Sequence, residues 1–425
     1  MQRKVIYSKV GGLALTLAII IVSVSLWSRT AKTSSGHEVS SAESTQIETG
    51  INKETLAAQL GAAISTNNFP ESYDFSFNGE SKRARVSYTL DEIAQAHMEK
   101  LLKQYSPDYG AFVAIDAKTG RILSMVSRSR YSETENLTLR ATFPAASIFK
   151  VVTASAAIDT NKAAPSTIVP YNGANHTLYK KNVSDTRVNR WSQRITMREA
   201  FARSVNTFFG KLGLFYVGPD ALKLYAERFF FNHPIRADVP VQTGYAKFSS
   251  DDPWSVVTAA SGFTRDNTMS PLQGALIAAA VANDGVMMEP FLVDTLTDEA
   301  GEAFYKGEVR QASVVVEPRT AEELRELFVQ TVLSGTSRKA FRASVRGKHA
   351  FEDVEFGGKT GSLTGTNPMG KCDWFVGYAR FEDQRIAVAA LTVNEKKWKV
   401  KSSTLANLFF QNYLKFNMSR EVAKR

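Results

Sequence analysis

Ser147-Ile148-Phe149-Lys150 opens onto Val151-Val152-Thr153-Ala154-Ser155-Ala156-Ala157-Ile158, and the reading of this stretch decides the fold. The run is apolar nearly all round, which is the pattern of a buried helix. Pro144 stands just before it, where the start of a helix tolerates proline. Three residues apart, Ser147 and Lys150 share one helical face. A lysine on so apolar a helix is desolvated, which favours the neutral amine by up to ~3–5 pK units when burial is complete. A neutral amine accepts a hydroxyl proton. Free N–H groups and the positive dipole end at the helix start lie where an oxyanion would develop. An isolated Ser-x-x-Lys ordinarily means a capping serine and a lysine that snorkels to solvent. The apolar context and two later motifs reverse that reading.

The first of these is Ser204-Val205-Asn206, which follows a stretch of helical spacing over residues 195–203 and precedes another apolar stretch over 207–214. A helix–helix junction points both polar side chains into a cleft, Ser204 to pass a proton between Lys150 and a leaving group, Asn206 to hold a peptide carbonyl. The second is Lys359-Thr360-Gly361-Ser362, on the first of three antiparallel strands expected over 354–362, 373–379 and 385–393, with a turn-rich gap after the first. Gly357 and Gly358 are expected to let a ligand approach the backbone, and Lys359 with the Thr360 and Ser362 hydroxyls makes a carboxylate site. Ser65-Thr66-Asn67 and Lys118-Thr119-Gly120 repeat these motifs, but both precede Ser147 and so are out of order. The second lies between strand-like segments and reads as a hairpin turn. The ordered triplet is the pattern of acyl transfer through a serine activated by a lysine.

With these motifs the chain resembles the penicillin-binding protein transpeptidase family, part of the serine acyltransferase group that includes serine β-lactamases. The likeness runs from about Val86 to Leu414 and extends to Gly110-Ala111-Phe112-Val113-Ala114-Ile115-Asp116, Met269-Ser270-Pro271-Leu272-Gln273, Ala282-Asn283-Asp284-Gly285 and Trp374-Phe375-Val376-Gly377-Tyr378. It implies an α/β (α+β) fold with a central antiparallel sheet flanked by helices and an inserted all-helical region. It implies Ser147 as nucleophile, Lys150 as base, Ser204 as relay and Asn206 as substrate clamp. Lys359, Thr360, Gly361 and Ser362 would bind the terminal carboxylate of a D-alanyl-D-alanine stem, and the Ser147 and Ser362 amides would form the oxyanion hole. Ser362 stands where the family usually carries threonine. The implied activity is D,D-transpeptidation of peptidoglycan stem peptides with covalent inhibition by β-lactams. A D,D-carboxypeptidase, a class D-like β-lactamase and a non-catalytic β-lactam sensor stay open beside it. The Glu-x-x-Leu-Asn segment usual in class A β-lactamases is absent.

Length and the N-terminus set the organisation. With 425 residues and 44% hydrophobic composition, the chain can bury one large core or two smaller ones. Residues 10–27 carry no charge and follow Arg3, Lys4 and Lys9, as in a membrane span with its N-terminus inside the cell. A cleaved signal peptide is the rival, since Ser23-Val24-Ser25 has a small-x-small look; the length of the apolar run favours the anchor. The expected organisation is a cytosolic tip and transmembrane helix over 1–28, a Ser/Thr-rich tether and short stalk over 29–85, and a catalytic domain over 86–425 held outside the cytoplasm, in the periplasm, by the inner membrane. Neither a glycosyltransferase domain nor a large pedestal fits in 29–85, so a separate glycosyltransferase is the expected partner. The formal charge of +10 fits contact with anionic lipid or wall polymers and equally fits solvated surface charge with no partner, and no nucleic-acid partner is expected.

Other chemistries find no support. Gly365-Thr366-Asn367-Pro368-Met369-Gly370-Lys371 mimics a phosphate loop, but Cys372 follows where magnesium binding needs a hydroxyl. His37, His97, His176, His233 and His349 lack metal-ligand spacing and are expected to be surface or structural, so no metal or cofactor is expected. Cys372, the sole cysteine, forms no intramolecular disulfide and reads as a packed small side chain.

Overall fold

The computed structural model describes residues 51–424 apart from 78, 133–134, 185–186 and 347–350. The anchor over 10–27, the tether, His37 and His349 fall outside the described residues. Asn52 caps α1 (Lys53–Ser65), whose Thr55 amide donates to its side chain. A hairpin of β1 (Ser72–Phe77) and β2 (Glu80–Tyr88) follows, then α2 (Glu92–Tyr105) and the hairpin β3 (Tyr109–Asp116) and β4 (Ile122–Ser129). Strand β5 (Phe143–Pro144) leads into a 3₁₀ turn, Ala146–Phe149, and α3 (Lys150–Asp159). The helical insertion continues through α4 (Lys180–Ser184), α5 (Met197–Ala202), α6 (Asn206–Lys211), α7 (Pro219–Arg228) and α8 (Pro253–Ala260). After β6 (Thr268–Met269), the wholly buried α9 (Pro271–Ala282) returns to the sheet. Short strands β7 (Val286–Met288), β8 (Val293–Thr297), β9 (Ala303–Lys306) and β10 (Gln311–Val314) precede α10 (Pro318–Leu333) and α11 (Arg338–Val345). Three long strands, β11 (Glu355–Thr366), β12 (Met369–Phe381) and β13 (Gln384–Asn394), and helix α12 (Ser402–Lys424) complete the described chain.

The central sheet is antiparallel, in the order β11-β12-β13-β3-β4. The last strand, β13, therefore pairs with β3 of the β3–β4 hairpin, and the helices between are an insertion, as the spacing of the motifs implies. Side chains alternate across the sheet as its pleat requires. Ala111, Val113, Ile115, Trp374, Val376 and Tyr378 join the core that holds α9 and α3, while Phe112, Ala114, Phe375 and Ala379 pack with α2 and α12.

Two boundaries differ from the sequence reading. The turn-rich gap after Ser362 is strand apart from the reversal at Asn367-Pro368: β11 and β12 stay in register from Glu355↔Arg380 to Thr366↔Met369, with Thr364 paired to Lys371 and Leu363 to Cys372. The phosphate-loop mimic is thus the tip of a hairpin. Residues 51–88 are not a separate stalk in packing: Leu56, Leu60, Ile64 and Phe75 lie in the main core, and β2 crosses the 85/86 boundary to pair with β8. Lys118 lies in the turn of the β3–β4 hairpin, where Asp116 accepts its amide.

Candidate active site

Ser147 is presented by the 3₁₀ turn rather than by α3, which begins at Lys150. In a 3₁₀ turn side chains three apart eclipse one another, so serine and lysine are brought face to face more directly than on an α-helix. Ala146, just before the serine, holds a left-handed φ of 49°, a conformation that costs a non-glycine residue about 1–2 kcal/mol. Strain of this kind persists where the surroundings over-determine it. Here they do, since Ala145, Ala146, Ile148 and Phe149 are all wholly buried while Ser147 is part-exposed to the cleft.

Lys150 is wholly buried, and burial, with the neighbouring Lys359 charge, holds its amine well below the usual lysine range. Its Nζ lies 2.8 Å from Ser147 Oγ, 2.8 Å from Asn206 Oδ1 and 2.5 Å from the Ser261 carbonyl. Two of these partners only accept. As an ammonium Lys150 donates to all three; once it has given up a proton, Asn206 and Ser261 take its two remaining hydrogens and its lone pair faces the Ser147 hydroxyl. Asn206 Nδ2 donates to the His176 carbonyl at 3.0 Å, which fixes the amide with its oxygen toward the lysine. Asn206 is therefore an orienter of the base as well as a cleft residue, and one of its two amide hydrogens is left for a substrate.

Ser204 lies within the α5–α6 junction in a left-handed conformation, φ 57°. A capping box, Thr196 with Glu199, fixes the start of α5. The hydroxyl accepts from Lys359 Nζ at 2.9 Å, so the relay is coupled to the lysine of β11, where the sequence reading coupled it to Lys150. Lys359 is wholly buried. It also donates to the Thr360 carbonyl at 2.7 Å, and burial alone lowers its pKa to about 7. It lies beneath the cleft and does not line it.

The glycines of β11 serve purposes that the motif does not reveal. A Cβ on Gly357 would lie 2.6 Å from the Tyr378 hydroxyl, and one on Gly358 2.3 Å from the Phe375 ring. That room is filled by the protein's own aromatic rings and is not open to a ligand. Gly361 makes the close approach: a Cβ there would lie 3.3 Å from the Ile148 amide nitrogen, so the edge strand runs directly past the 3₁₀ turn.

Ser147, Ser204, Asn206, Thr360, Gly361 and Ser362 line one cleft of about 890 Å³. Lys150 and Lys359 lie under its floor, so all eight sequence-expected residues converge. Several other contributors carry no motif. Thr336 shares a 2.5 Å hydroxyl contact with Thr360. The Ser261-Gly262 end of α8 supplies the carbonyl that holds Lys150 and abuts Ala146. His176 stands at the rim, and desolvation, then the charges of Lys150 and Lys359, keep its imidazole below the ordinary value. Only Ser261-Gly262 left a trace in the sequence, as a small-residue helix end. Cys372 is buried, and burial pushes its thiol up to about 12.

Residues 110–415 match the family described as the penicillin binding protein transpeptidase domain. Over 320 residues the chain is 29% identical to the peptidoglycan D,D-transpeptidase PbpA of Mycolicibacterium smegmatis, covering 67% of this chain and 62% of that protein. PBPA from Mycobacterium tuberculosis superposes with a TM-score of 0.64 at 25% identity, covering 78% of this chain and 82% of that one. A penicillin G acyl-enzyme complex of penicillin-binding protein A from the same organism superposes at 0.61 and 24% identity, covering 78% and 81%.

Proposed function

The chain belongs to the penicillin-binding protein transpeptidase family, and on that premise we propose that it is a peptidoglycan D,D-transpeptidase working through an acyl-enzyme at Ser147. The observation that carries the reading is the three-way coordination of the buried Lys150, in which two partners only accept and the third is the Ser147 hydroxyl, so that the deprotonated amine turns its lone pair to that hydroxyl. Lys150 takes the Ser147 proton as Oγ attacks the penultimate D-alanine carbonyl. The Oγ–C bond forms, the C–N bond to the terminal D-alanine breaks, and the proton passes to the departing amine. An acceptor amine then attacks the ester carbonyl, the amide C–N bond forms as the C–Oγ bond breaks, and the proton lost by the amine returns to Ser147 Oγ through Lys150. The Ser147 and Ser362 amides receive the oxyanion, an interaction whose loss typically costs 10²–10³-fold in rate. The Thr360 and Ser362 hydroxyls meet the substrate carboxylate, with the Lys359 charge behind them and Ser204 relaying between that lysine and the leaving group. Asn206 holds the peptide.

The same scaffold releases the acyl group to water in carboxypeptidases and β-lactamases, so the fate of the acyl group decides between the readings. The chain spans 62% of the length of the M. smegmatis relative, and the placement around the domain is equally our proposal: residues 10–27 anchor the catalytic body outside the cytoplasm, and a separate glycosyltransferase supplies glycan. Fluorescent penicillin labelling tests the acyl-enzyme. The wild type is labelled and Ser147→Ala is not; persistent labelling of a folded Ser147→Ala chain would remove the assignment.

A further inference from the structure

The cleft continues past Ser362, and the order of residues along β11 gives it a direction. Thr360 meets Thr336, Gly361 passes the turn carrying Ser147, Ser362 pairs across the sheet with Asp373, and Thr364 pairs with Lys371. With the terminal carboxylate held by the Thr360 and Ser362 hydroxyls and the reacting carbonyl at Ser147, the lining left for the rest of the donor includes Asp373 and Lys371. That far wall is cationic. Lys371 and Lys401 hold their ammonium groups 5.0 and 3.5 Å from the Trp398 ring, and Lys339 of α11 lines the same cleft. Asp373 is the one carboxylate of this lining, and it is already engaged by the Ser402 amide at 2.8 Å and by Lys401 at 3.4 Å. Lys339 and Lys371 are exposed, and neither pairs with a carboxylate among the described residues. Three cations thus face one satisfied anion.

We propose that this wall is a subsite for a second carboxylate, carried by the acyl donor on the amino-terminal side of the reacting carbonyl, with Lys339 and Lys371 as the residues that select for it. The inference rests on the acyl-enzyme reading above and adds the charge of the donor to it. Trp398 holds the ammonium groups of Lys371 and Lys401 close to its ring by cation–π attraction, and both side chains line the cleft.

Three penicillins with the same ring system separate the two layers. Carbenicillin carries a carboxylate on the side-chain carbon, benzylpenicillin carries no charge there, and ampicillin carries an ammonium. Second-order acylation rates are measured on the full-length chain for the wild type, Lys339→Gln/Lys371→Gln and the charge-preserving Lys339→Arg/Lys371→Arg. The carbenicillin-to-benzylpenicillin ratio falls about 3–10-fold in the Gln pair, as exposed charge pairs of this kind allow. The ampicillin-to-benzylpenicillin ratio rises and the Arg pair keeps the wild-type ratios. Raising salt from about 0.1 to 1 M, which shortens the Debye length from ~10 to ~3 Å, erases the difference. Ratios unmoved by the Gln pair, or a uniform fall with all three ligands, would overturn the subsite while leaving the acyl-enzyme intact. Failure of every penicillin to acylate the wild type would overturn both.

Discussion

Gly262→Ala is expected to disable the site from a position that no motif marks. The residue has φ +64°, and an added Cβ would lie 1.9 Å from the Ala146 carbonyl oxygen and 3.1 Å from Ser147 Cα. An ordinary C···O contact is about 3.3 Å, so the two segments must part by roughly 1.4 Å. Both are backbone, and no rotamer change relieves the clash. The left-handed conformation costs alanine about 1–2 kcal/mol, and overpacking adds about 1–3 kcal/mol. The movement falls on the residue before the nucleophile and on the segment whose Ser261 carbonyl holds Lys150. A misplacement near 1 Å can cost about 10²-fold in rate. Acylation by a fluorescent penicillin should therefore slow by about 10²-fold or more in material that remains folded by circular dichroism, with a melting temperature lowered by several degrees. A variant that melts like the wild type and acylates within about threefold of it would refute the reasoning.

Lys150→Ala should lose about 10²–10⁴-fold in acylation rate, the usual worth of general-base help, measured by stopped-flow with benzylpenicillin. Lys359→Ala should slow acylation by carboxylated ligands more than by their ester or amide analogues; equal losses would make its role one of general electrostatics. Burial lowers Lys359 to about 7 while the unfolded chain titrates near 10.4, so the unfolded state binds more protons between those values and the stability due to this group rises with pH from about 7 to 10. Lys359→Met should flatten that rise in denaturant melts at stepped pH. The benzylpenicillin adduct should persist for minutes or longer; turnover at the ~1–10³ s⁻¹ of efficient enzymes would mark a β-lactamase.

The chemistry was legible because it rests on residue types at short spacings. Ser147 with Lys150, Ser204 with Asn206 and the Lys359 strand each sit in one local element, and the antiparallel strands followed from alternation. What stayed hidden depends on contacts between distant segments. Whether the serine turn is 3₁₀ or α depends on the left-handed Ala146, which Gly262 accommodates from 116 positions along the chain. The partner of Ser204 could not be read from order alone, since Lys150 and Lys359 both carry the right group and only the tertiary approach of the α5–α6 junction to Lys359 of β11 chooses between them. Gly357 and Gly358 looked like room for a ligand because the rings that fill that room come from β12. Residues 51–85 read as a short stalk because the partner of their second strand, β8, lies some 200 residues later.

The most direct measurement is transfer against hydrolysis. The full-length chain is given a thioester donor ending in D-alanine together with graded amounts of an amine acceptor, and the products are quantified by mass spectrometry. Transfer product should grow with acceptor at the expense of hydrolysis, with an acyl adduct on the peptide containing Ser147 and no product from Ser147→Ala. Hydrolysis that is indifferent to acceptor, or turnover in the alanine variant, would contradict a transpeptidase built on this serine.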